Sequence, residues 1–155
     1  MVFDEPRLCP LAIKILLDTS ILITSLKLPL DLFGETERLL GTRVAFLVPK
    51  EVMEELQKLS MKQTSLGTLA TRALEITKNK CKIIQDKSTA KITADESLIR
   101  ASKEVKAAVA TADNRLRMRL RAQGIPIITL RGNRLHCEPE TLEYWNFMLQ
   151  TSERT

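Results

Sequence analysis

The chain has 155 residues, the length of one ordinary globular domain, and its 44% apolar and 28% charged residues are typical of a folded protein rather than a disordered tail. No apolar run approaches the length of about 20 residues that crosses a bilayer, and residues 1–10 lack the apolar core of a signal peptide. We therefore expect a cytoplasmic protein without a membrane segment. The formal net charge of +5 favours a polyanionic partner, although many basic proteins bind none.

The cysteine, histidine and glycine residues exclude several kinds of site. Cys9, Cys81 and Cys137 are far apart and form no CxxC pair, which argues against a disulfide framework and a zinc ribbon. His136 is the only histidine, so sites that need two imidazoles are excluded. The closest glycines, Gly34 and Gly41, are seven positions apart, which fits neither a P-loop nor a dinucleotide-binding loop. Any chemistry on phosphates must therefore use side chains or metal ions.

Short apolar runs alternate with helical patterns along the chain. The predicted strands cover 14–18, 44–48, 81–84, 107–111 and 125–130. The predicted helices follow residues 18 and 49 and cover 31–40, 65–78, 93–103 and 113–122. Because the strands lack polar alternation, both faces of their sheet should be covered by helices. The pattern predicts an α/β fold, a three-layer α/β/α sandwich with a central, mostly parallel five-stranded sheet.

The last part of the chain is predicted to add to this domain. Residues after Arg131 contain a short strand pattern around Leu135 and a terminal helix pattern over 139–149. We expect residues 1–135 to form the domain and residues 136–155 to be a C-terminal tail or helix that packs on it.

Acidic residues lie near the predicted carboxyl ends of the strands. Asp18 ends the first strand and Asp113 follows the fourth. Asp95 opens the helix before the fourth strand, and Glu55 lies about one turn into the helix after the second. Ligands of an open parallel sheet bind outside the carboxyl ends of its strands, so the topology can bring these acids together. Their mutual repulsion would then favour a hard divalent cation, Mg²⁺ or Mn²⁺, suited to phosphoryl chemistry.

Each acid also has a purely structural interpretation. Asp18 and Asp113 directly precede helices, where Asp is a favoured N-cap. Asp95 lies inside a capping-box pattern and complements the helix dipole. Glu55, like its neighbour Glu54, can be a solvated helix residue. Only the joint placement of the acids at one sheet edge favours a metal site.

Several short motifs carry a family resemblance. They are LLDTSIL (16–22), VPKEVMEEL (48–56), TADESLIRAS (93–102), VATADNRLRMRL (109–120) and GIPIITL (124–130). In this order and with these gaps, over about residues 14–130, the chain resembles the PIN-domain ribonucleases. It is most similar to the branch that contains ribosomal-RNA processing nucleases and less similar to VapC-type toxins.

The resemblance implies a metal-dependent nuclease site. The acids that hold one or two Mg²⁺ or Mn²⁺ ions in that family correspond here to Asp18, Glu55, Asp95 and Asp113. Glu55 rather than Glu54 matches, because the family's acid directly precedes the helix leucine, here Leu56. Ser20 and Thr111 match polar positions that support the metal site.

One departure from the family pattern follows Asp113. Many relatives carry a further acid there, whereas this chain has Asn114 and Arg115. The difference weakens the case for a second metal site.

Basic residues offer contacts to an RNA backbone. Arg115, Arg117, Arg119 and Arg121 alternate along one predicted helix and form two i,i+4 rows, which a solvated helix face explains equally well. The candidates for RNA binding are Arg115, Arg119, Lys50 and Lys91. Because few aromatic side chains surround them, recognition of charge and shape is better supported than readout of bases.

The resulting hypothesis is an Mg- or Mn-dependent endoribonuclease, a hydrolase acting on RNA phosphodiester bonds, with a role in ribosomal-RNA processing. One alternative is an RNA-binding or ribosome-assembly factor that keeps the fold and turns over poorly. A second alternative is a toxin-type ribonuclease with an antitoxin partner. The sequence also leaves a homodimer open.

Overall fold

The computed structural model describes residues 12–85, 91–140 and Trp145. Strands and helices alternate within them in the order β1 (Ile13–Leu17), α1 (Thr19–Lys27), α2 (Leu32–Leu40), β2 (Val44–Pro49), α3 (Lys50–Ser60), α4 (Ser65–Lys80), β3 (Lys82–Ile84), α5 (Ala94–Val105), β4 (Ala108–Ala110), α6 (Asn114–Ala122), β5 (Ile127–Arg131) and β6 (Arg134–Glu138). The predicted strands up to residue 131 are all present, with bounds that differ by at most two residues.

The strands form one sheet in the order β3-β2-β1-β4-β5-β6. The first five strands in this order run parallel, as the apolar runs predicted. From β1 the chain builds outward to β2 and β3 on one side, and from β4 it builds outward to β5 on the other. The order therefore reverses between β1 and β4, and a crevice for ligands opens at such a reversal. The predicted α/β fold with a mostly parallel central sheet is confirmed.

The sheet has six strands in the described part of the chain rather than five. The sixth, β6, lies where a short strand around Leu135 was predicted, and it runs antiparallel to β5 with Arg131 opposite Arg134. Gly132 opens the two-residue turn between them at φ +62°, a backbone conformation that favours glycine. Because this hairpin needs no crossover helix, the last strand reverses direction.

The core lies on both faces of the sheet. Residues 15–17 of β1 and all of β4 are almost completely buried, and β4 consists of small residues. Val52 and Leu56 lie one turn apart on α3 and are fully buried. Helices thus cover the sheet and leave the strand ends as the place for polar residues.

Trp145 is fully buried, and its indole N–H donates a 2.8 Å hydrogen bond to the Pro139 carbonyl. Most of the helix predicted over 139–149 lies outside the described residues. In the ranges that the structure describes, none of the helices combines the length and the apolar character that a membrane crossing requires.

Candidate active site

Asp18 occupies the crevice at the carboxyl end of β1. Its side chain is only 5% exposed. Its Oδ1 accepts the Thr19 backbone N–H at 2.8 Å, and its Oδ2 accepts the hydroxyls of Ser20 at 2.7 Å and Thr111 at 2.8 Å. Three donors, one on Oδ1 and two on Oδ2, fix the orientation of this buried carboxylate, as a residue at a metal or catalytic centre requires.

Ser20 and Thr111 connect the ends of β1 and β4. Their hydroxyl oxygens lie 3.1 Å apart. Ser20 Oγ also accepts the Ala112 N–H at 2.9 Å, and Thr111 Oγ1 accepts the Asp113 N–H at 3.0 Å. The loop that carries Asp113 is therefore held against Asp18 by side chains as well as by the sheet.

Asp113 is the N-cap of α6. Its Oδ1 accepts the Arg115 N–H at 2.9 Å, which satisfies one of the free donors in the first turn. The capping role predicted for Asp113 is therefore confirmed, and the residue predicted to bind metal is also the residue that begins α6.

Asp95 lies in the first turn of α5, behind the N-cap Thr93, whose hydroxyl accepts the Glu96 N–H at 3.2 Å. Partial burial raises the pKa of the Asp95 carboxyl, and the nearby charges of Asp18 and Asp113 raise it further, while Arg119 lowers it. Asp95 therefore shares one electrostatic environment with the acids that follow β1 and β4.

Glu55 approaches the same cleft from α3. The residue is exposed as a whole, but its carboxyl group is partly desolvated, and this burial raises the Glu55 pKa. The Asp18 charge raises that pKa next, the Thr19 hydroxyl lowers it, and Asp95 raises it. The structure thus brings Glu55 toward Asp18 and Asp95.

The donors fit a hydrated divalent cation. In the described ranges, no three acidic, histidine or cysteine side chains are arranged to hold one ion directly. Mg²⁺ commonly uses only one or two carboxylates and keeps several waters, and it prefers oxygen donors. The cleft offers carboxylate oxygens whose mutual repulsion a bound cation would relieve.

A family model described as a PIN-like domain matches residues 15–133. The chain belongs to the PIN-like domain family. Its structure is similar to that of the PIN domain endonuclease Utp24, with 27% sequence identity and a TM-score of 0.70 over 84% of this chain and 93% of that one. It also shares its fold with a domain of a functionally unknown protein from Methanocaldococcus jannaschii DSM 2661, at 19% identity and a TM-score of 0.57 over 78% and 93% of the two chains. No curated protein matches the chain.

In this PIN-like domain, the four arginines of α6 form two rows with different neighbours. Arg117 Nη1 lies 2.8 Å from Glu138 Oε1, and Arg121 Nη2 lies 3.7 Å from Glu138 Oε2, so this row joins α6 to β6. Arg115 and Arg119 are exposed, and Arg119 lies near enough to Asp95 to lower its pKa. Arg119 therefore lies beside the acidic cleft.

The predicted lysines lie at the starts of two helices that carry site acids. Lys50 is the first residue of α3 and is exposed. Lys91 is exposed and precedes α5. Both are accessible to an RNA backbone.

Two features that the sequence patterns did not single out lie beside the cleft. Ser97 Oγ of α5 donates a 2.7 Å hydrogen bond to Glu51 Oε1 of α3. Thr19, between Asp18 and Ser20, has a buried hydroxyl without a hydrogen-bond partner among the described residues. No sequence spacing marks either feature, since both depend on how α1, α3 and α5 pack.

Proposed function

We propose that this PIN-like domain is a metal-dependent endoribonuclease that hydrolyses RNA phosphodiester bonds and acts in ribosomal-RNA processing. The proposal depends above all on the position of Asp18 at the switch point, the place between β1 and β4 where the strand order reverses. Three donors hold its carboxylate there, and its charge raises the pKa of both Glu55 and Asp95. The similarity to the PIN domain endonuclease Utp24 supports this reaction class.

The proposed metal ligands and catalytic residues are Asp18, Glu55, Asp95 and Asp113, with Ser20 and Thr111 in support. One or two Mg²⁺ or Mn²⁺ ions, when bound, offset charge on the phosphoryl oxygens and lower the pKa of water. The hydroxyls of Ser20 and Thr111 direct Asp18 Oδ2 by donating to it. The Asp113 carboxylate caps α6 through one oxygen, so the same residue anchors the helix at the cleft.

The proposed nucleophile is water rather than the neighbouring 2′-hydroxyl of RNA. Glu55, as the acid that enters the cleft from α3, binds the cation or orients the water through its carboxylate. In-line attack expels the 3′ oxygen, so the products carry 5′-phosphate and 3′-hydroxyl ends. The proposed mechanism uses no histidine base. The single histidine, His136, lies on β6, where its Nε2 is 3.0 Å from Glu140 Oε1.

The substrate contacts are proposed to be electrostatic. Arg115 and Arg119 are exposed on α6, Lys50 is exposed at the start of α3, and Lys91 is exposed three residues before α5. Cations at these places suit phosphate oxygens, which fix the register of a nucleic acid without reading its sequence.

A second candidate function is an RNA-binding or ribosome-assembly factor with little turnover. Asn114 and Arg115 follow Asp113 where many relatives carry a further acid, and this observation favours it. Such a factor would keep the basic contacts and lose the cleavage.

The test is a cleavage assay on single-stranded and structured RNA with Mg²⁺, Mn²⁺ or EDTA. We expect Asp18→Asn to abolish cleavage. Asp31→Asn is the matched control. Asp31 also caps a helix, since it accepts the Gly34 N–H at 3.2 Å, but it is not one of the four proposed site acids. Cyclic-phosphate products, or full activity in EDTA, would contradict the mechanism. Tight RNA binding without cleavage would favour the assembly factor.

A further inference from the structure

Met118 is a large apolar side chain that faces solvent. It is 57% exposed and is one of three such side chains in the described ranges, with Met61 and Ile83. A single exposed apolar residue needs no functional explanation in itself. Met118 is distinguished by its place, because it lies among arginines on α6, the helix that begins at Asp113 of the cleft.

The packing of α6 fixes which side of the helix carries Met118. Leu116 and Leu120 are fully buried and hold the helix on the core. Arg117 Nη1 lies 2.8 Å from Glu138 Oε1 and ties one flank of the helix to β6. Because successive residues of a helix are about 100° apart, Met118 lies opposite the two leucines. It therefore projects from the side of α6 that is turned away from the sheet.

The neighbours of Met118 on this side suit an anion. Asn114 and Arg115 are exposed and lie four and three residues before Met118, the spacings at which helical side chains are neighbours. The sequence of α6 contains four arginines and no acidic residue. An acid after Asp113, as many relatives carry, would repel a phosphate, whereas Asn114 and Arg115 do not. We call Asn114, Arg115 and Met118 the α6 patch.

The α6 patch begins directly beside the cleft. Asn114 follows the N-cap Asp113, and Met118 lies about 7.5 Å further along the helix axis at a rise of 1.5 Å per residue. Side chains of a helix lean toward its N-terminus, so the Met118 side chain covers the turn that carries Asn114 and Arg115. A nucleotide on this patch is therefore close to the phosphate that the cleft acids would act on.

The chemistry of the patch fits an unpaired nucleotide. The thioether of methionine is apolar and polarisable and makes favourable contacts with aromatic rings, of which a nucleobase is one. The face of a base is accessible in single-stranded RNA, whereas double-stranded RNA offers its phosphates, its 2′-hydroxyls and the edges of its bases. Arg115 provides a charge for the adjoining phosphate.

We propose that the α6 patch binds a nucleotide of single-stranded RNA beside the cleft, with its base against Met118 and its phosphate on Arg115. This inference rests on the proposed function, which supplies RNA as the substrate. It adds that the RNA is unpaired next to the cleaved bond. The contact tolerates any base, because every base has an aromatic face.

The test measures RNA affinity by fluorescence anisotropy in an Asp18→Asn background, in which cleavage is stopped. The two single-stranded probes are oligoadenylate and a ribose-phosphate chain of the same length without bases. We expect Met118→Gln to weaken binding of oligoadenylate about fivefold and to leave binding of the abasic chain unchanged. Binding of an oligoadenylate–oligouridylate duplex should also be unchanged, because its bases are stacked.

Three variants serve as controls. Met118→Leu keeps an apolar side chain and should retain most of the affinity for oligoadenylate. Met61→Gln changes an exposed methionine outside α6 and should alter the affinity for neither probe. Arg115→Gln should weaken binding of both single-stranded probes by the same factor and reduce its salt dependence, since it removes a phosphate contact.

Three outcomes would overturn the inference. Equal weakening of both single-stranded probes by Met118→Gln would show that the base is not the contact. Unchanged affinity for oligoadenylate would show that Met118 does not touch RNA and would leave its exposed side chain to a protein partner. Weaker binding together with a lower melting temperature would assign the loss to the fold. Failure of the proposed nuclease function is seen separately, as absence of RNA cleavage by the unsubstituted protein with Mn²⁺.

Discussion

Ser97 Oγ lies 2.7 Å from Glu51 Oε1, and this hydrogen bond joins the first turn of α5 to the first turn of α3. Asp95 is two residues before Ser97, and Glu55 is one turn after Glu51. The bond therefore spans the two helices that bring Asp95 and Glu55 to the cleft. It therefore links the helix that carries Asp95 to the helix that carries Glu55, whose pKa the Asp95 charge raises.

Ser97→Ala tests this contact. We expect a loss of about 1 kcal/mol in the free energy of unfolding, the usual cost of one such bond, together with lower kcat. Urea unfolding and RNA cleavage measure the two effects. Ser102→Ala is the matched control, because Ser102 is buried in the same helix and donates to the Ile99 carbonyl at 2.8 Å. Cleavage lowered equally by both variants would contradict a specific role for the Glu51 contact.

Two substitutions of Asp113 distinguish its capping role from its proposed role in metal binding. Asn caps helices about as well as Asp, so Asp113→Asn should keep the melting temperature near that of the unsubstituted protein while weakening Mn²⁺ binding and cleavage. Asp113→Ala should lose both, with a stability loss of about 1 kcal/mol. Unchanged Mn²⁺ affinity and unchanged cleavage in Asp113→Asn would leave this residue as a cap only.

The sheet and the placement of its acids could be predicted because they depend on local patterns. Apolar runs without polar alternation indicate parallel strands, and an acid at the end of such a run lies at the sheet edge. Asp18 and Asp113 follow β1 and β4, which turn out to be neighbours at the switch point. The capping pattern at Thr93 likewise predicted the start of α5.

The contacts between distant elements could not be predicted. Glu51 and Ser97 are 46 residues apart on two helices, and no periodicity specifies how those helices face each other. The division of the α6 arginines depends on Glu138, which reaches them only because β6 folds back antiparallel to β5. The short strand pattern around Leu135 does not reveal that direction.

The α6 arginines should differ in their effect on RNA binding. Arg119→Gln should weaken binding similarly for all RNA sequences and reduce the slope of log affinity against log salt by about 1, as removal of one phosphate contact does. Arg117→Gln is the matched control, two residues earlier on the same helix. It should leave the slope unchanged and lower the stability of the fold, because the buried Glu138 loses its 2.8 Å partner. Equal slopes for both variants would place the RNA elsewhere.

Cys81 should be unreactive in the folded protein. Burial raises the pKa of its thiol to about 12, although the neighbouring Lys80 lowers it. Because the thiolate is the reactive form, iodoacetamide at pH 8 should modify Cys81 far more slowly in the native protein than in urea. Peptide mass spectrometry measures the two rates. Similar rates in both conditions would show that the thiol is solvated.

Asp95 should reduce the stability of the metal-free protein. An acid whose pKa is higher in the folded than in the unfolded state destabilises the fold at pH values above its folded-state pKa, and this effect disappears as the pH falls through that value. Burial and the charges of Asp18 and Asp113 raise the Asp95 pKa, so at pH 7 in EDTA the variant Asp95→Asn should melt higher than the unsubstituted protein. The gain should be small, at most about 2 °C, because the carboxyl is only partly buried and water screens its interactions.

The α5 helix dipole opposes this gain, because it favours a negative charge at Asp95. A second variant measures the dipole effect alone. Glu96 lies in the same first turn of α5 and is exposed, so Glu96→Gln removes only a favourable charge at the helix N-terminus and should lower the melting temperature slightly. Mn²⁺ should raise the melting temperature of the unsubstituted protein and of Glu96→Gln more than that of Asp95→Asn, because a cation relieves the repulsion that Asp95 causes. Equal Mn²⁺ stabilisation of all three proteins would remove Asp95 from the metal site.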